Sequence, residues 1–189
     1  SVSPESYLIS SRTMRLNHPM KILTILIGTL VLNMFDASTG RAEETVTEAM
    51  LRAESLGKVR LGLPEKDVVK LLGSPATRGE LMLQEADGNY VQDWHYPDKG
   101  IELVMRAGPK KSGGKTIGAI TASAPCTFAT KKGIKIGDAE NAARNAYAEH
   151  VDRETSDTGT LVVGSLYGGI IFNFTDGKVS RIFFGAAAE

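Results

Sequence analysis

Apolar residues return along this chain in two rhythms, and the rhythm changes at glycines. Between Thr45 and Leu56, Val46, Ala49, Met50 and Ala53 recur at helical spacing, with Glu43 and Glu44 near the end where a helix dipole favours anions. Thr45 and Glu48 have the spacing of a capping box, and Gly57 closes the segment. A short extended lead-in, Lys58-Val59-Arg60-Leu61-Gly62-Leu63, then runs into Pro64, which suits a first helical position. Val68, Leu71 and Leu72 form one apolar face of the helix that follows. Gly73-Ser74-Pro75 ends it, because glycine accepts left-handed dihedrals and proline cannot continue the ladder.

From there the period shortens to two. Glu80 to Glu85 and the aromatic-rich Tyr90 to Tyr96 are strand candidates, separated by the turn-forming Ala86-Asp87-Gly88-Asn89. Pro97-Asp98-Lys99-Gly100 makes the next turn. Ile101-Glu102-Leu103-Val104-Met105-Arg106 alternates, with Ile101, Leu103 and Met105 on one face of a strand. Gly108 to Lys115 reads as a flexible basic hairpin loop, and Thr116 to Ala122 as the returning strand.

A second, degenerate pass follows. Val59, Leu61 and Gly62 align without a gap on Ile134, Ile136 and Gly137, and Val68, Leu71 and Leu72 fall on Ala143, Ala146 and Tyr147. Gly100-Ile101-x-Leu103-x-Met105 matches Gly169-Ile170-x-Phe172-x-Phe174. Ile117-x-x-Ile120 resembles Val179-x-x-Ile182, introduced by Asp176-Gly177, a strong hairpin signal. Agreement in element order, apolar phase and turn glycines predicts a tandem repeat.

The N-terminal stretch follows neither rhythm. Lys21 precedes an apolar run from Ile22 to Phe35, short of the ~20 residues that a bilayer span needs. Asp36 and small residues ending in Gly40-Arg41-Ala42 come next, the order of a secretory signal peptide with Met20 as its start. Residues 1–42 are therefore read as upstream residues plus signal peptide, outside the fold. No cysteine lies near the cut, so the expected product is exported without an acyl anchor, periplasmic or secreted, with no integral span once the signal is removed. The roughly 150 residues that remain suffice for one core or for two small units sharing one.

Charge and chemistry narrow the function classes. Lys and Arg number 22 and Asp and Glu 22, which gives no reason to expect a nucleic-acid groove. Cys126 is the single cysteine, so an intramolecular disulfide and a multi-thiolate zinc site are both excluded. His95, between Trp94 and Tyr96, is expected on the open face of its strand while those two neighbours face the core. With His150 as the other histidine after the leader, there is no local spacing for a metal site. Cys126 reads as a small buried residue rather than a nucleophile, and Asp138 and Glu140 as answers to a helix dipole rather than an acid/base pair. Gly113-Gly114-Lys115-Thr116 lacks phosphate-loop spacing, since Pro109 stands where the first glycine would be. Of the aromatics Tyr90, Tyr167, Phe172, Phe174, Phe183 and Phe184, most are core by alternation. Those left on an open face are partner anchors, with Tyr90, Tyr167 and His95 as the candidates.

The turn glycines Gly57 and Gly62, the helix face Val68, Leu71 and Leu72, Gly73 and Pro75, then Trp94, Tyr96 and Gly100 carry a resemblance. They resemble the small outer-membrane lipoproteins of the SmpA/OmlA type, which belong to the β-barrel assembly machinery. That family shares its unit with the β-lactamase inhibitory protein, where it occurs twice in tandem. The resemblance covers residues 57–106 clearly and 133–184 weakly, and the acylated cysteine of the lipoprotein members is missing here. It implies an α+β fold of two tandem units, each a helix pair packed on an antiparallel sheet meander, over residues 43–124 and 125–189. The expected function is a non-catalytic binding module without cofactor or metal. It would engage another envelope protein, in the manner of outer-membrane assembly factors or of the inhibitor. The alternative is a small-ligand-binding protein or an enzyme using His95, Cys126 or His150.

Overall fold

The computed structural model describes residues 48–85, 87–109 and 113–187. The expected leader, the Thr45 cap and the tip of the basic loop at 110–112 lie outside the described residues. Residues 48–53 are helical (α1). They are followed by α2 (Glu65–Leu72), β1 (Thr77–Arg78), β2 (Met82–Gln84), β3 (Asn89–Tyr96), β4 (Ile101–Ala107) and β5 (Thr116–Ser123). The chain continues with α3 (Glu140–Ala146), β6 (Thr160–Ser165), β7 (Gly168–Thr175) and β8 (Lys178–Gly185).

These strands make one antiparallel eight-stranded sheet in the order β1-β3-β4-β5-β8-β7-β6, with β2 also pairing β3. This corrects the expectation of two units that each pack a helix pair on a meander. The residues between β5 and α3 form turns and an isolated bridge of Thr130 to Leu56, so α3 has no helical companion before it. Pro125 and the β-branched Thr127 and Thr130 break any helical rhythm there. The two meanders also fuse. β5 and β8 pair edge to edge, matching Ile120 with Phe184 and Ala122 with Ile182. Two apolar edges that would otherwise stand open thus satisfy each other.

What recurs in the two halves is finer than a helix pair. Gly62 N–H donates to Ile117 O, Ile117 N–H to Leu63 O and Glu65 N–H to Lys115 O. Gly137 N–H donates to Val179 O, Val179 N–H to Asp138 O and Glu140 N–H to Gly177 O. Each helix is thereby tied through its N-terminal turn to the last strand of its own meander. The β4–β5 ladder shifts register between Val104 and Met105, and the β7–β8 ladder shifts at the matching step, between Asn173 and Phe174. Leu103 opposes Ile120 as Phe172 opposes Ile182, and Ile101 opposes Ala122 as Ile170 opposes Phe184. The β5–β8 pairing maps onto itself under this correspondence, so the sheet has a local pseudo-two-fold axis beside Thr121 and Phe183.

One face of the sheet holds the core. Trp94, Tyr96, Ile101, Leu103, Met105, Ile117 and Ile120 are buried there from the first half. Leu161, Val163, Ile170, Phe172, Ile182 and Phe184 continue it from the second. Val68 and Leu72 of α2 cover one end, and Ala143 with Tyr147 at the end of α3 cover the other. The Tyr147 ring packs on Phe172 at 5.2 Å between centroids. Trp94 is closed over by the Arg78 guanidinium, 4.4 Å from the ring, and donates its indole N–H to Gln92.

Candidate functional site

The period-two alternation sends every second residue of β3, β4, β5, β8 and β7 to the face away from the core. One row across that face reads His95, Glu102, Thr121, Phe183, Ile171 and Val162. His95 stands where its strand position puts it, opposite the face of Trp94 and Tyr96, with its side chain 42% exposed. Its Nδ1 lies 3.7 Å from a Glu102 carboxylate oxygen, too long for a good hydrogen bond. Together they border a shallow depression of about 280 Å³ at the β3–β4 turn, walled also by Pro97 and Ser123. At its far end the row is no longer open: Ile171 and Val162 are buried.

The residues singled out in the sequence do not converge. Cys126 is in the core, and burial pushes its thiol pKa up, away from the thiolate a nucleophile needs. His150 sits on the 3₁₀ turn Ala148–His150 after α3. Tyr90 pairs with Leu83 across the β2–β3 ladder, on the helix-bearing side and half-buried. Five residues of strand, roughly 17 Å at about 3.3 Å per residue, separate it from His95, which faces the other way. Tyr167 is 75% exposed at the tip of the β6–β7 turn, at the opposite border of the sheet. Among the described residues, no group of three or more His, Cys, Asp or Glu side chains is placed to hold a metal ion. No helix among them is long and apolar enough to cross a membrane.

The feature the sequence reading passed over is the border at β1 and β2. Leu81, Met82 and Leu83 are 39%, 55% and 52% exposed, three consecutive large apolar residues leading into and along β2, which among the described residues pairs with β3 alone. Its two flanking carboxylates, Glu80 and Glu85, are exposed as well. Gly79 N–H still donates to Asp93 O, and Gln92 Nε2 donates to Gly79 O, so β1 and β2 are held against β3 across the irregular step between them. The signal was present as an apolar triplet between two acids, without alternation. That pattern suits a strand buried on both faces equally well, and nothing local distinguishes the two.

The other border is closed. Val151 bridges to Val163, Asp152 N–H donates to Val162 O at 2.9 Å, and the Val162 N–H donates to Ser156 Oγ at 2.9 Å. Asp152 anchors this segment by accepting the Glu154 N–H, and its carboxyl is held below its ordinary pKa first by the Thr155 side-chain hydroxyl. No protein-family model, curated protein or solved structure matches this chain.

Proposed function

We propose that this protein is an exported, non-catalytic binding module of the cell envelope, which holds a protein partner on the border of its sheet. The leader composition supports export, and the observation that carries the binding reading is the exposed Leu81-Met82-Leu83 triplet at β2, which among the described residues has a partner strand on one side only. Natural sheets protect such borders with lysine, proline or a covering loop, and an apolar border left bare is costly to keep without a use. The alternative, an enzyme or small-ligand binder, would draw on His95, Cys126 and His150, which lie on the outer face, in the core and on the 148–150 turn respectively. Three dispersed groups give a substrate no common point of attack.

A photo-crosslinking residue at position 82, compared with one at the exposed turn residue Asp176, tests the reading in cells of origin. The expected result is a discrete adduct with one envelope protein from position 82 and none from 176. Absence of any adduct from 82, or the same set of adducts from both positions, overturns it.

A further inference from the structure

We infer that the border of β2 that faces away from β3 is a strand acceptor, and that its occupant is an extended apolar segment of a partner protein with basic residues at both ends. This deepens the proposed binding reading and rests on it. Four observations carry it. First, the sheet treats its two borders differently. Main chain at 151–157 and the Ser156 hydroxyl close β6, whereas among the described residues β2 pairs with β3 alone. A strand border of this kind presents a row of amide and carbonyl groups to an incoming chain.

Second, the side chains at this border serve both faces of an added strand. Met82 stands opposite Val91 on the outer face, and Leu83 stands opposite Tyr90 on the helix side. An incoming strand with alternating apolar residues therefore meets an apolar neighbour whichever way each of its side chains points. Third, the border carries none of the charges that discourage pairing: residues 81–83 include no lysine, no proline and no acid. Fourth, the charges sit at its ends and have one sign. Glu80 and Glu85 are exposed, Asp87 lies just beyond, and no basic residue falls between Gly79 and Gly88. Arg106 on β4 reaches Asp87 at 3.2 Å and donates to Gln84 Oε1 at 3.2 Å, which leaves the two glutamates as the acids flanking residues 81–83.

The same charges argue against a second copy of this chain. Residues directly opposite each other share a face, so a second copy would set Met82 against Met82 or Leu83 against Leu83, and either register brings a second Glu80 and Glu85 to the same border with no basic residue between Gly79 and Gly88 to offset them. Basic residues in the occupant relieve what a second copy would aggravate.

The test uses the full chain and a fluorescent peptide, Lys-Lys-Val-Ile-Val-Thr-Val-Lys-Lys, followed by anisotropy. Two control peptides accompany it: one with glutamate in place of every lysine, and one with the backbone nitrogens of its five central residues methylated so that neither border can pair. The basic peptide is expected to bind at least about tenfold more tightly than either control. Met82→Ser with Leu83→Ser should abolish that binding, and Glu80→Gln with Glu85→Gln should remove the preference for lysine over glutamate. All four positions are exposed or border positions, so both double variants should keep the parent melting temperature within a few degrees. Equal binding of the methylated peptide overturns strand addition, as does failure of the basic peptide to bind. Salt-resistant dimerisation of the parent chain, lost in the Met82/Leu83 double variant, overturns it in favour of self-pairing. An adduct at position 82 with no peptide binding leaves the broader binding reading standing while this inference falls; no adduct removes both.

Discussion

Gly100 and Gly169 stand at matched points of the two meanders, and both are glycine because the backbone is crowded there. A Cβ on Gly100 would overlap the Ser123 carbonyl oxygen and lie 2.6 Å from the Cys126 nitrogen, at a residue whose φ is +60°. A Cβ on Gly169 would overlap the Ser165 carbonyl oxygen and lie 3.0 Å from its nitrogen. Tyr147 shows the opposite situation, a polar atom where none is needed. Its hydroxyl is buried without a hydrogen bond, although Thr130 and the buried Glu54 are close by. Burial, reinforced by the Glu54 carboxylate, holds this phenol un-ionised well beyond its ordinary range. Because its folded pKa is raised, the unfolded chain ionises first. The stability it contributes is full below about pH 10 and is lost as the pH climbs above that. Burial raises Tyr96 and Cys126 in the same direction, so the whole chain should lose stability on the alkaline side. In Tyr147→Phe, urea denaturation at pH 7 is expected to shift by less than about 1 kcal/mol, since no hydrogen bond is removed. The fall in stability between pH 9 and about 11 should shrink at the same time. An unchanged alkaline slope would place the effect elsewhere.

At the scale of elements, the two sheet borders are the contrast that matters. β6 is closed by a segment of low regularity, and much of that closure passes through Ser156, which accepts the Val162 N–H at 2.9 Å. Ser156→Ala leaves that amide to water. The expected loss is about 1 kcal/mol, and hydrogen exchange at Val162 should quicken while exchange at Leu103, in the middle of the sheet, changes only with global stability. The helices are short and serve as lids. α2 begins without a side-chain cap, at Pro64 in extended conformation, and α3 begins at Ala139 in nearly the same conformation. Their first turns are held instead by main-chain bonds to Lys115 and Gly177. The apolar face expected for α2 is only partly used: Val68 and Leu72 are buried, whereas Leu71 is 37% exposed.

For the molecule as a whole, the seam between β5 and β8 makes one folding unit of what the sequence presents as two passes. Ile120, Ala122, Ile182 and Phe184 lie on it and are all buried. Neither half can open without exposing apolar surface of the other. The chain should therefore unfold in a single transition. Trp94, the one tryptophan, reports on the first half. Its fluorescence should lose its native signal at the same denaturant midpoint as an amide-exchange or dichroism probe of β7. Phe184→Ala should move both midpoints together, by about 3 kcal/mol or more. Separate midpoints would mean that the seam does not couple the halves.

The sequence by itself determined the local features, because they depend on local chemistry. Alternation alone assigned Ile101, Leu103 and Met105 to the core face and His95 to the outer one. Asp176-Gly177 was legible as a tight hairpin, and both residues have positive φ, as such a turn requires. The gapless match of Gly62 to Gly137 corresponds to equivalent hydrogen bonds. Tertiary structure decided which strands stand at a border, and therefore which apolar residues are left in solvent. Period and propensity describe how a strand's faces differ but say nothing about its neighbours in the sheet. Hence the joining of β5 to β8, the missing second helix before α3, and the exposure of Leu81, Met82 and Leu83 all arise from pairings between segments far apart in the chain.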